Sequence, residues 1–209
     1  MKSIFSIVFV FVSLTFSVFS QNKGLKINDE APLSDQKMKS VNGEEISVKD
    51  LNKENGVLVI FSCNTCPFVV GMKDGSFPGW ERQYNDIQKL AKEKGFGIIL
   101  VNSNEAKRPD EDSFEEMQKR AKEKAYEIPY VVDEKSVLAD AYGAKTTPHV
   151  YLFNKDLKLI YTGSIDNSWD PKRKEDVPYL TNALNEFGGK IKVTESEPRG
   201  CSIKRVVNK

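Results

Sequence analysis

GVLVIFSCNTCPFVV, residues 56–70, runs from an unbroken apolar stretch into two cysteines three apart and then a proline. A continuous run rich in β-branched residues is how a strand buried on both faces reads. Pro67 suits the first turn of a helix, where its missing N–H is not needed. Cys63 and Cys66 therefore stand at a strand-to-helix junction.

The flanks extend this alternation. Upstream, QKMKSVNGEEISVKDL (36–51) predicts a short hairpin around the two-residue turn signal Asn42-Gly43. Downstream, DGSFPGW (74–80) interrupts the helical pattern, which resumes from Glu81 to Lys94. FGIILVNSN (96–104) predicts a second buried strand, and Ser113 with Glu116 forms a capping box opening a helix to about Ala125. PYVVD (129–133) reads as a third strand, with Asp133 capping a helix that Gly143 ends. HVYLF and LKLIYTG form a hairpin through Asn154-Lys155-Asp156, and a last helix spans about Glu175 to Phe187. Gly188 and Gly189 then release a polar tail carrying Cys201. Helices alternating with strands, followed by a hairpin, predict an α/β fold: a central mixed sheet flanked by helices, with an N-terminal β-hairpin.

The chain opens MKSIFSIVFVFVSLTFSVFS, one early lysine and an apolar stretch ending in small residues at Val18 and Ser20. This reads as a signal peptide cut after Ser20, with an uncleaved anchor as the alternative and the sole route to a membrane. The expected organisation is 1–20 signal peptide, 21–188 one folded domain, and 189–209 a tail; the expected location is periplasmic or extracellular. A formal net charge of +1 with both signs interspersed gives no basic footprint for nucleic acid.

All three cysteines, Cys63, Cys66 and Cys201, lie in the exported part. A disulfide across so short a loop barely restricts the unfolded chain, so a purely structural pair explains little. Cys63, at the carboxyl end of a strand and the start of a helix, is expected to be the acidic, attacking thiol. Cys66, one turn inward, is expected to resolve the mixed disulfide. An odd number leaves Cys201 free, intermolecular, or in exchange with the pair.

FSCNTCPF (61–68), VNSNE (101–105), TTPHVYLFN (146–154), YTGSID (161–166) and RGCSIK (199–204) together resemble the thioredoxin-like superfamily, and within it a peroxiredoxin-like redoxin branch. The resemblance covers nearly all of residues 30–205. It implies a thioredoxin-like fold, a redox-active Cys63–Cys66 disulfide, and a cis-proline at Pro148 beside the pair. It also implies that Thr147 and Pro148 offer backbone to an extended substrate. No cofactor is implied. The implied partners are protein or small-molecule thiols and disulfides, including one that regenerates the pair.

Departures from the pattern are specific. Ser62 stands where thioredoxins commonly have Trp, and Val57 replaces the acid six positions before the first cysteine. The proton carrier is unassigned, with Glu105 weighed against an ordinary exposed loop carboxylate. The peroxidase signature Pro-x-x-x-Thr-x-x-Cys is missing, which leaves at most a weak thiol peroxidase. His149, the single histidine, completes a formal set of soft ligands with the three cysteines. Strand alternation turns it away from them if Pro148 faces the pair, so no metal site is expected. Trp80 and Trp169 are not assigned by their spacing. The leading reading is an exported thiol-disulfide oxidoreductase. Alternatives are a copper or zinc chaperone or sensor using the same thiols, and a non-enzymatic binding domain.

Overall fold

The computed structural model describes residues 24–206. The signal-peptide reading of residues 1–20 lies outside the described residues.

Strands β1 (Met38–Lys39) and β2 (Glu45–Ile46) form the N-terminal hairpin. Its loop holds three residues rather than the expected two, because Ser40 N–H still bonds the Glu44 carbonyl (2.8 Å) while Gly43 N–H turns back to the Ser40 carbonyl (2.8 Å). Gly43 takes the left-handed position at φ 91°, as a turn followed by a bulge demands. The main chain continues through β3 (Gly56–Ser62), α1 (Pro67–Val70), α2 (Tyr84–Glu93), β4 (Phe96–Asn102), α3 (Phe114–Glu123), β5 (Tyr130–Val132) and α4 (Val137–Tyr142). Then follow β6 (Thr146–Thr147), β7 (His149–Asn154), β8 (Leu159–Gly163), α5 (Tyr179–Glu186) and β9 (Cys201–Ser202).

Five strands make the central sheet in the order β5-β4-β3-β7-β8. β3 runs parallel to β4, and β4 to β5, while β7 is antiparallel to both β3 and β8. The sheet is mixed, as the strand order in the sequence predicts. Every residue of β3 and β4 is buried, and successive side chains enter different layers. Leu58, Ile60 and Leu100 join Trp80, Tyr84, Met117 and Leu184 on one face. Val57, Val59, Phe61 and Val101 join Met38, Leu138, Tyr142 and Tyr151 on the other. Burying each such aliphatic side chain contributes roughly 1.5–3 kcal/mol, so truncating Ile60 would loosen the strand that carries the cysteines.

Two expectations shift. The strand after Phe96 ends at Asn102 rather than Asn104, because Asn102 and Asn104 turn their side chains into a polar network. The last helix starts at Tyr179 rather than Glu175, because Pro178 drives the residue before it out of helical conformation. Leu180 N–H bonds the Ile165 carbonyl near the end of β8 (3.0 Å), and Phe187 packs edge-on against Phe96 at the start of β4. The helix therefore runs away from the cysteine edge.

The chain after α5 comes back. Thr162 in β8 donates to the Thr194 carbonyl and accepts from Ser196 N–H, both at 3.0 Å. Ser164 Oγ donates to the Glu197 carbonyl (2.6 Å) and accepts from Arg199 N–H (3.0 Å). This lane brings β9 alongside β6.

Candidate active site

The parallel strands β3 and β4 deliver Cys63 and Asn102 to one edge of the sheet. Cys63 follows the last residue of β3, and Cys66 is the N-cap of α1 with extended backbone (φ −66°, ψ 124°). Pro67 holds the first helical position and Gly71 ends the single turn. The Thr147–Pro148 peptide bond is cis. Thr147 Oγ1 lies 3.1 Å from Cys63 Sγ, and its carbonyl oxygen lies 3.0 Å from Cys66 Sγ. The structure thus brings together Cys63, Cys66, Thr147 and Cys201, whose backbone N–H points at Cys66 Sγ across 3.3 Å. All three cysteines are free thiols.

Cys63 and Cys66 are equally shielded, each 3% exposed, so Cys63 has no privileged access to solvent. The helix begins after Cys66, so Cys66 rather than Cys63 stands at its N-cap. Hydrogen bonding from the Cys63 thiol, with further help from Cys201 and Phe68, overcomes burial and holds Cys66 down at about 5. The Cys66 thiol also donates to the Thr147 carbonyl (3.0 Å), a contact that favours its protonated form. Cys63 is pushed well above the usual thiol range by sharing its proton with Cys66, by burial, and by the charge of Asp112. Burial, then the neighbouring Cys66 sulfur, pushes Cys201 up to about 12.

Asp112 is the residue that sequence reading missed. Its place in the run Asp110-Glu111-Asp112 looks like a solvated loop, yet its side chain is wholly buried. It accepts from Asn64 N–H (2.8 Å), Asn102 Nδ2 (2.8 Å) and Asn104 Nδ2 (2.9 Å). The two residues between the cysteines are therefore tied through Asn64 to a buried carboxylate, and Tyr130 OH adds a bond to Asn64 Oδ1 (3.0 Å). The asparagines of VNSNE hinted at such a network; nothing in the spacing pointed to Asp112. Glu105 accepts from Lys135 N–H (3.0 Å) and faces Arg108 (3.8 Å), so it is engaged away from the thiols.

His149 is buried beside Tyr151, with Lys145 N–H, Tyr151 OH and Thr162 Oγ1 each 3.4 Å from a ring nitrogen. Burial, with the nearby Lys145 charge, lowers it to about 3. No cysteine sulfur is among these neighbours. Among the described residues no group of three or more His, Cys, Asp and Glu side chains is placed to hold a metal ion. Trp80 is a core residue whose Nε1 donates to Asp166 (2.7 Å). Trp169 lies under the Arg199 guanidinium, 4.5 Å from its ring centre.

The edge expected to take an extended substrate is already filled. Thr147 pairs antiparallel with Cys201 and Thr146 with Ser202, so the backbone offered beside Pro148 is used by the chain's own tail.

The sequence profile of the Redoxin family matches residues 26–184. The chain belongs to that family. Family membership carries an oxidoreductase role with it, and the thioredoxin-like fold agrees. Among solved structures, an uncharacterized conserved protein from Geobacillus kaustophilus is 30% identical, with a TM-score of 0.72 over 88% of this chain and 94% of that one. A hypothetical protein from Sinorhizobium meliloti is 26% identical, with a TM-score of 0.73 over 89% of this redoxin and 98% of its own chain. The thioredoxin domain of a thiol-disulfide oxidoreductase from Bacteroides vulgatus shares the fold at 20% identity, with a TM-score of 0.55 over 78% of this chain and 99% of that domain. No curated protein matches the sequence.

Proposed function

We propose that this redoxin is an exported thiol-disulfide oxidoreductase in which Cys63 and Cys66 cycle between dithiol and disulfide. The observation that carries the reading is that Cys63 and Cys66 both contact Thr147, beside the cis Thr147–Pro148 bond, at the carboxyl edge of the sheet. Export rests on the apolar leader of residues 1–20; among the described residues no helix is long and apolar enough to cross a membrane.

In the reducing direction, the Cys66 thiolate attacks one sulfur of a client disulfide and expels the other as a thiolate. The Cys63 thiol then attacks Cys66 Sγ, yields its proton to the departing client sulfur, and closes the Cys63–Cys66 disulfide. The client gains two electrons, and a separate dithiol restores the pair. Cys201, whose N–H faces the Cys66 sulfur, enters the exchange in this proposal as an auxiliary thiol.

Trapping tests the assignment. Cys63→Ser keeps the attacking thiolate and loses the resolving thiol, so mixed disulfides with client proteins or small thiols accumulate on Cys66. Cys66→Ser does not trap them. If trapping follows Cys66→Ser instead, the roles are the other way round; if the pair shows no exchange with a glutathione buffer, the reading fails.

A further inference from the structure

We propose that residues Arg199–Ile203 sit in the client groove of this redoxin, so that the groove takes extended, cysteine-bearing segments of the form Arg-Gly-Cys-x-Ile by displacing the tail. The inference rests on the oxidoreductase reading and adds to it a substrate class.

The tail meets the site residue by residue. The Arg199 guanidinium covers Trp169 (4.5 Å) while its N–H bonds Ser164 Oγ (3.0 Å). Gly200 presses on the backbone: a Cβ there would stand 2.2 Å from the Thr147 carbonyl oxygen, a rigid neighbour. Cys201 pairs with Thr147 and directs its N–H at Cys66 Sγ (3.3 Å). Ser202 is exposed and sets no side-chain requirement. Ile203 is 5% exposed in the apolar layer with Leu138, Ala144 and Tyr142, and its N–H bonds the Lys145 carbonyl (3.0 Å). Ladder bonds supply affinity and alternate pockets supply selection, the usual division in strand addition.

The tail must also leave. Cys63 and Cys66 are each 3% exposed, and Cys201 packs against them. Disulfide exchange needs access of one sulfur to another. Release breaks the two-pair ladder together with the Ile203 N–H bond to Lys145 and the Lys204 and Arg205 anchors. A tethered segment competes at an effective concentration in the millimolar range, so the docked tail sets a threshold that only a well-matched client passes.

The test uses the full-length reduced protein and a fluorescent peptide carrying the sequence of residues 197–205 with serine at its cysteine. Gly200→Val removes the tethered competitor by steric clash, and Ile203→Asp removes it by an independent route. Anisotropy is expected to show either variant binding the peptide at least about tenfold more tightly than the unaltered protein. A second peptide with valine at the glycine position is expected to bind neither. Equal affinity for variant and unaltered protein, equal binding of the two peptides, or no binding by both variants would overturn the groove assignment. Glutathione titration of the same samples separates the two claims. A pair that exchanges while the peptide fails to bind overturns the groove alone; peptide binding with a pair that does not exchange overturns the oxidoreductase reading and the client role with it.

Discussion

Thr147 and Cys201 are antiparallel partners, and that pairing holds the Cys201 N–H 3.3 Å from the sulfur of Cys66. One backbone contact thus closes the substrate edge and supplies a donor to the acidic thiol. Further anchors fix the register: Lys204 N–H bonds Asn104 Oδ1 (2.9 Å), and Arg205 reaches Asp140 (2.6 Å) and the Ala144 carbonyl (2.7 Å).

Loosening the tail is expected to open the pair. Ile203→Asp places a carboxylate where a side chain is 5% exposed, which disfavours the docked state. About 1.4 kcal/mol of lost docking corresponds to a tenfold change in the undocked fraction. Alkylation of Cys63 and Cys66 by a small maleimide should therefore accelerate on the order of tenfold, read by mass spectrometry of quenched samples. An unchanged rate would mean that the sulfurs are reached without tail movement.

The hydrogen bond from Cys63 is the largest influence lowering Cys66. Cys63→Ala removes that donor and is expected to move the thiolate absorbance of Cys66 upward from about 5. Cys63→Ser keeps a hydroxyl donor and should move it less. Identical titrations for the two variants would show that another group holds the charge.

The strands and their order were legible because burial on both faces leaves a β-branched, unbroken apolar run, as in GVLVIFS and FGIILV. Leu58 and Val59 enter opposite layers, yet both must be apolar. The site was legible as a motif, whereas the equal burial of its two thiols was not. Two cysteines three apart say where a helix is near, and the start of α1 at Pro67 sets which of them is its N-cap. Asp112 and Gly200 act through long-range approach to Asn64 and Thr147, which short-range patterning does not encode. Helical periodicity runs back through Pro178 to Glu175, but the proline holds the start of α5 at Tyr179.

His149 gives the fold a defined acid sensitivity. Its folded pKa of about 3 lies below the ordinary histidine value of 6.5. Between those values the unfolded chain binds a proton that the folded chain does not, so stability rises with pH across the window and is lost as pH falls through it. Urea unfolding at pH 7 and near pH 4 should show a smaller difference for His149→Gln than for the unaltered protein. The same difference in both would place the acid sensitivity elsewhere.

Asp112 acts on Cys63 as a positioning and electrostatic group. Its carboxylate holds Asn64 in place through the backbone N–H (2.8 Å) and raises the Cys63 thiol by disfavouring a second negative charge nearby. Asp112→Asn removes the charge and turns an amide N–H₂ toward a site now filled by donors from Asn64, Asn102 and Asn104. Each buried donor left unpaired costs about 1–3 kcal/mol, so the urea midpoint falls. A merely structural residue would show that loss alone. For Asp112 the titration of Cys63, followed by thiolate absorbance in a Cys66→Ser background, should also move down, and Cys63 should alkylate faster at neutral pH. Asp112→Glu retains the charge and is expected to keep the Cys63 titration high even where its longer side chain weakens the fold. A Cys63 titration that stays fixed in Asp112→Asn would reduce Asp112 to a scaffold residue and leave burial and Cys66 as the sole causes of the raised thiol.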